Sequence, residues 1–274
     1  MSKKSDKISK IIIGGSGPSL AKIDYTRLPK DAQIWRINEF FKEPEYFLGR
    51  RVDGIFNGGD PKRIIDRYHT FHKLSESGAY DIDFGMIFAD KLFSELPDLF
   101  KDQFGSIKEL DELGNIGLWP IIKYNDLFFD RHPFSGVCAI IYAMLCGFDE
   151  IYIAGIDNDY GMGTTYAYSD KKTDANFLRW VKSYHEYDLQ WELIKKYQEK
   201  SGAKIFCLSK ESPAAKFFPL APVITKSARK PEKKTSLCNE LFPSPWYPDF
   251  LKKKNLGKYA EPAIKFLKPK QQEP

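Results

Sequence analysis

The stretch Glu150 to Tyr166, EIYIAGIDNDYGMGTTY, constrains the fold more than any other part of the chain. It opens on Ile151-Tyr152-Ile153-Ala154, a short apolar run rich in β-branched residues. A strand of that composition has no polar face to offer water, so it belongs inside a parallel sheet covered on both sides. The run ends at Gly155-Ile156-Asp157, and a loop with Gly161 and Gly163 follows. In open α/β sheets the ligand crevice lies beyond the carboxyl ends of the strands. Tyr160 and Tyr166 fall in that loop. A phenol is a neutral hydrogen-bond donor on an apolar ring, suited to a phosphate that must leave. The competing use of both rings is to pack the loop onto the core.

The rest of the chain supplies the other strands of such a sheet. Lys10-Ile11-Ile12-Ile13 runs into Gly14-Gly15-Ser16-Gly17-Pro18-Ser19-Leu20, a first strand, a glycine-rich turn and a helix start with Pro18 at its first position. Gln33 to Ile37 and Val52 to Phe56 read as the next two strands. They end at Asn38 and Asn57, each offering a donor and an acceptor to a base edge or a ribose. Asp60-Pro61 starts a helix to about Leu74. Its His69 and His72 share a face with no carboxylate or cysteine cluster beside them, which points to packing rather than metal. Ile82 to Phe88 resembles a fourth strand, and residues 91–130 read only as mixed helices and loops.

Arg131-His132-Pro133-Phe134-Ser135-Gly136 precedes a nearly all-apolar helix, Val137 to Cys146, stopped by Gly147. This sets Ser135 and Gly136 at a helix N-terminus on the ligand side, with Arg131 able to face an anion or a carboxylate of the fold. Asp170 to Tyr184 is polar and reads as part of a lid over roughly residues 160–187. Tyr184-His185-Glu186 leads into a helix around Asp188 to Lys200, and Ala203 to Leu208 is a further strand. The expected fold is α/β: a Rossmann-like, mostly parallel central sheet with helices on both faces and a small lid subdomain.

Length and charge divide the chain. Its 274 residues and 42% hydrophobic content suit one large domain with an appendage. Residues 225–274 carry twelve basic and five acidic side chains, so the net charge of +5 comes from this segment and residues 1–224 are near −2. We expect a catalytic domain over 1–224 and a basic, Pro-rich tail over 225–274. That tail suits an anionic lipid surface or simple solvation, and nucleic acid is not an expected partner. No run approaches a membrane span, and the basic N-terminus meets no signal-peptide core, so the expected location is cytoplasmic. Cys138, Cys146, Cys207 and Cys238 are far apart and read as reduced thiols.

Three chemistries compete for this crevice. Gly15-Ser16-Gly17 provides two of the three glycines of a dinucleotide fingerprint, with Leu20 at the third position; Glu39 stands near the distance of a ribose-binding acid, which keeps a dehydrogenase in play. Asp157-Asn158-Asp159 has the DxD pattern with which metal-dependent glycosyltransferases hold a divalent ion. A nucleotide-binding module without catalysis is the third.

Taken in order, GGSGPSL, RINEFF, FNGGD, R-x₃-SG, IAGID, Tyr-x₅-Tyr and a late single His resemble the bacterial lipooligosaccharide sialyltransferases of glycosyltransferase family 42, from about residue 10 to residue 224. The resemblance implies an inverting, metal-independent enzyme using CMP-sialic acid and the terminal sugar of a glycolipid, at α2,3 or α2,8 linkage. With the basic tail, peripheral work at the inner face of the bacterial inner membrane is an expectation, and so is a possible homo-oligomer. It implies a CMP site lined by the Gly15–Gly17 loop with Ser16, by Asn38, Asn57, Ser135 and Gly136, and by the Gly155 to Asp157 strand end. Tyr160 and Tyr166 would then hold the leaving phosphate, His185 would be the general base, and Arg131 would support the site. This chain has Ser16 where such sequences usually have Asn, and one extra residue between Arg131 and Ser135.

Overall fold

The computed structural model describes residues 9–58, 61–84, 87–89, 107–109, 133–158, 164–167, 169–172, 185–228, 230–235, 238 and 240–242. In chain order the strands are β1 (Lys10–Gly14), β2 (Gln33–Ile37), β3 (Glu45–Tyr46), β4 (Arg51–Val52), β5 (Gly54–Asn57), β6 (Asp81–Ile82), β7 (Ile87–Ala89), β8 (Ile107–Glu109), β9 (Glu150–Ala154), β10 (Thr164–Tyr166), β11 (Ser169–Lys172), β12 (Lys204–Cys207) and β13 (Glu232–Lys233). The α-helices are α1 (Pro61–Glu76), α2 (Ser135–Leu145) and α3 (His185–Ser201).

The apolar runs form one seven-stranded sheet in the order β12-β9-β1-β2-β5-β7-β8. Every pairing in it is parallel. Alternate side chains of each run go to opposite faces, and both faces are covered. On one face Ile11, Ile13, Trp35, Ile151, Ile153 and Ile205 meet α2 and Trp191 of α3 in a single core. α2 is buried on nearly every side, as its almost wholly apolar sequence requires. On the other face α1 covers Ile55, while Ile12 and Tyr152 are covered by Leu20 and Ile23 from a short 3₁₀ region and by Ala221. The expected parallel sheet with helices on both faces is the fold that forms.

The chain leaves β1 outward through β2, β5, β7 and β8, then crosses back to place β9 and β12 on the other flank of β1. The order therefore reverses between β1 and β9, the switch point at which open α/β sheets place the ligand crevice, beyond the carboxyl ends of the strands.

Local structure differs from the sequence reading in three places. Pro18–Lys22 is a 3₁₀ turn and not the start of an α-helix. It is short because Asp24 caps the next turn by accepting from the Thr26 amide at 3.0 Å. The third apolar run splits at Asp53, whose amide donates to the Ile34 carbonyl at 2.8 Å and whose carboxylate accepts from the Ile34 amide at 2.8 Å. The fourth run splits too: β6 pairs with β4 in a separate two-stranded sheet, while β7 joins the main one. Between them Phe84 stacks on His72, ring centres 4.1 Å apart.

The basic C-terminal segment is not separate from the body over its described residues. β13 pairs antiparallel with β3, Cys238 and Leu241 pack on the α1 cluster, and the Phe242 amide donates to Thr70 Oγ1 at 2.9 Å.

Candidate active site

The floor of the crevice is two glycine turns in contact. Gly15 donates its amide to the Ala154 carbonyl at 2.9 Å and Gly17 to the Gly155 carbonyl at 2.7 Å, which joins the ends of β1 and β9. Gly155 has φ +60°, and a Cβ there would lie 2.7 Å from the Gly15 carbonyl oxygen. Only glycine fits both demands. A Cβ at Gly17 would lie 2.6 Å from Asp157 Oδ2. Asp157 itself turns to the 3₁₀ region: it accepts from the Ser19 amide at 2.8 Å and from the Ser19 and Ser212 hydroxyls. Of the DxD triplet, Asp157 thus has both oxygens hydrogen-bonded, and Asp159 lies outside the described residues. Among the described residues no group of three His, Cys, Asp or Glu is arranged to hold a metal ion.

The ends of β2 and β5 form the next wall. Asn38 takes the left-handed conformation, φ 52°, and its amide donates to the Phe56 carbonyl at 2.9 Å. Its side-chain oxygen accepts from the Gly58 amide at 3.0 Å. Asn57 is buried and turned inward: Nδ2 donates to the Ile64 carbonyl at 3.1 Å and Oδ1 accepts from Arg67 Nη1 at 3.2 Å. Arg67 is the hub that the motifs did not reveal. It also reaches Asn38 Oδ1 at 3.3 Å, the Gly58 carbonyl at 2.7 Å and Glu39 Oε1 at 3.0 Å. Glu39 is only 4% exposed and pairs with Lys42, Arg63 and Arg67. Burial alone would raise its pKa, yet the three cations outweigh burial and hold it at about 2. An acid committed to three cations is a strut for the wall rather than a free ribose ligand.

Ser135 and Gly136 open α2, whose N-cap, Phe134, supplies no side-chain cap. A Cβ at Gly58 would lie 2.6 Å from Ser135 Oγ, so the helix start sits against the end of β5. A Cβ at Gly136 would lie 2.9 Å from Ile156 Cγ2 and 3.4 Å from Ile37 Cδ1, which wedges the same helix start between β2 and the end of β9. Helix amides that Phe134 does not cap present, at such a place, a partial positive charge suited to a phosphate.

Tyr166 reaches this place from the β10–β11 pair, the described part of the expected lid. The adjacent Ala167 donates its amide to the Ser16 carbonyl at 2.8 Å, which ties the pair to the glycine loop. The ring of Tyr166 is 37% exposed. Burial first, and then the nearby Glu39 carboxylate, push its phenol up against the opposing pull of Arg63 and Arg67. It is therefore an O–H donor at neutral pH. Tyr160, Arg131 and His132 lie outside the described residues. His185 is the first residue of α3. Five residues on, about 7.5 Å along the axis, Gln190 Oε1 accepts from the Phe134 amide at 3.3 Å, so the start of α3 lies beside the start of α2.

Two further polar residues are buried at these loops and have no motif. Asn158, φ 48°, is buried with its Nδ2 unpartnered in the crevice turn. Glu43, buried under the glycine loop, accepts from Ser16 Oγ at 2.8 Å. Neither Asn nor Glu stands out in a polar loop, and only the fold shows them to be buried.

Comparison with known proteins identifies the family. The family described as alpha-2,3-sialyltransferase (CST-I) matches residues 9–260. The structure of the monofunctional alpha-2,3-sialyltransferase Cst-I from Campylobacter jejuni is similar at a TM-score of 0.75 and 26% identity, over 93% of this chain and 99% of that one. CstII from Campylobacter jejuni in complex with cytidine-5'-monophosphate is similar at a TM-score of 0.72 and 26% identity, over 91% of this chain and 99% of that one. CST-II in complex with a trisaccharide acceptor and CMP is similar at 0.71 and 25% identity, over 89% and 99%. A family match over residues 9–260, with solved relatives of the same fold over nearly the whole length, places this chain in the CST-I family of alpha-2,3-sialyltransferases.

Proposed function

We propose that the chain transfers sialic acid from CMP-sialic acid to a terminal sugar hydroxyl of a lipooligosaccharide-type acceptor, with inversion at the anomeric carbon and without a metal ion. The supporting observation is the convergence at one switch point of the Gly15–Gly17 loop, the start of α2 at Ser135 and Gly136, and the phenol of Tyr166. Gly15, Ser16, Gly17, Asn38 and Gly155 bound the nucleotide. Asn57 and Asp157 act one layer down, by holding the end of β5 and the Pro18–Lys22 turn.

The bond from the anomeric carbon to the phosphate oxygen breaks first in the transition state, which leaves positive charge on the sugar and negative charge on CMP. Helix amides and the hydroxyls of Tyr160 and Tyr166 receive the negative charge. Arg131 adds a positive charge nearby. The acceptor oxygen attacks from the opposite face, and its proton passes to the His185 imidazole. The tail holds the enzyme at the cytoplasmic face of the membrane, where glycolipid acceptors are built.

The test is product analysis with CMP-sialic acid and two acceptors, one ending in galactose and one in sialic acid, with and without EDTA. We expect sialylated product and free CMP, undiminished by the chelator, and the linkage follows from which acceptor reacts. Loss of activity in EDTA with recovery on Mn²⁺ overturns the metal-free step. Absence of CMP binding overturns the donor.

A further inference from the structure

A buried charge cluster lies directly beneath the glycine loop, and one of its members comes from the far end of the chain. Arg36 and Glu43 form an ion pair in which neither side chain is more than 2% exposed. Glu43 Oε1 also accepts from Ser16 Oγ at 2.8 Å. Lys234 follows β13 and donates its Nζ to the Phe41 carbonyl at 2.9 Å, while its amide donates to the Pro44 carbonyl at 3.3 Å. The ammonium lies 5.1 Å from each of the Tyr46 and Tyr80 ring centres. Phe40–Lys42 is a single 3₁₀ turn, so the carbonyl that Lys234 grips belongs to the turn that delivers Glu43. Outside the pocket the segment is seated by the Arg50–Glu232 ion pair, with the Arg50 guanidinium 4.6 Å over the Tyr46 ring, and by Cys238 and Leu241 on the α1 cluster.

We propose that residues 231–235, with Cys238 and residues 240–242, act as a strap, and that Lys234 is a positioning residue for the donor loop: it holds the Phe40–Lys42 turn, the turn holds Glu43, and Glu43 with Arg36 orients Ser16. The inference rests on reading Gly15–Gly17 as the nucleotide loop. Charge and geometry agree. A carboxylate buried this deeply is costly without cations. Here burial pushes the Glu43 acid up and Arg36 opposes it, with Lys234 adding to that opposition. The Glu43 oxygen that pairs with Arg36 is also the one that accepts from Ser16 Oγ, so the buried pair fixes the partner of the serine hydroxyl. Burial likewise lowers the Lys234 ammonium to about 8, with Glu43 resisting. A lysine is placed at such a cost where its charge has a partner.

The experiment measures CMP affinity by calorimetry in the full chain, with KM for CMP-sialic acid and kcat measured separately. Lys234→Met keeps the stem and removes the charge. It is made in the wild type and in a Ser16→Ala background. We expect Lys234→Met to weaken CMP binding and raise donor KM by about three- to tenfold, the range a charged hydrogen bond supplies, with kcat at saturating donor within about twofold. In the Ser16→Ala background the same substitution has no further effect on CMP. Glu232→Lys unseats the strap from outside the pocket and should shift CMP affinity in the same direction, which keeps the test available if Lys234→Met does not fold. A fall in unfolding temperature with CMP affinity unchanged overturns the proposal, and so does an equal loss of affinity in both backgrounds. A wild-type chain that binds no CMP overturns the donor reading itself, whereas wild-type binding unaffected by either strap variant overturns the strap alone.

Discussion

At the scale of single residues, three positions carry predictions. Gly155 combines φ +60° with a backbone oxygen in the space of a Cβ. Gly155→Ala should destabilise the fold by about 1–3 kcal/mol in chemical denaturation and separate the loops that form the crevice floor. Glu39 has its pKa lowered from 4.5 to about 2. A depressed carboxylate contributes stability that is complete above its unfolded value and disappears as pH falls through the folded value. The stability difference between wild type and Glu39→Gln should be on the order of 3 kcal/mol at neutral pH, because Arg67 is left buried without its partner. It should shrink between about pH 4.5 and pH 2. A difference that does not change with pH would show that the pairing is not electrostatic. His185→Ala should lower kcat about 10²–10⁴-fold with little change in donor KM. It should harm transfer to a sugar more than hydrolysis of the donor, since water can lose its proton to solvent. Tyr166→Phe should lower both together. A His185→Ala enzyme keeping more than about a third of wild-type kcat would remove the base assignment.

At the scale of elements, the helices were more legible than the turns. α2 declared itself through an unbroken apolar run, and α1 through Asp60-Pro61 at its start. The third run, which looked like a single strand, split because Asp53 hydrogen-bonds across to β2 and diverts the chain between two sheets. That divergence is a long-range choice and leaves no local pattern. α3 is held by Trp191, which is 1% exposed and packs against Phe217 and Phe218 at 6.1 Å each. Trp191→Ala should cost about 3–5 kcal/mol in urea unfolding. Because α3 begins with His185, it should also loosen the end of the helix that carries the proposed base, seen as a lower kcat in the folded fraction. A variant with unchanged stability would mean that the helix is held elsewhere.

At the scale of the whole molecule, charge is distributed unevenly and part of the basic segment is committed to the fold through Lys234 and Glu232. A membrane test should therefore leave those residues in place. Replacing Lys252, Lys253 and Lys254 by Glu should reduce sedimentation with anionic liposomes at least about tenfold, at roughly 1 kcal/mol per basic residue. Unchanged sedimentation would leave the tail without a membrane role. The sequence by itself determined the parallel sheet, the glycine turns and the family, because each rests on residues close together in the chain whose composition admits few local structures. The tertiary structure alone decided that Arg67 joins Asn38, Asn57 and Glu39, that Asp157 faces serines, and that Lys234 reaches a turn nearly two hundred residues earlier. Those pairings depend on which polar groups the fold buries together, and a buried polar group takes whatever partner the packing brings to it, however distant in the chain.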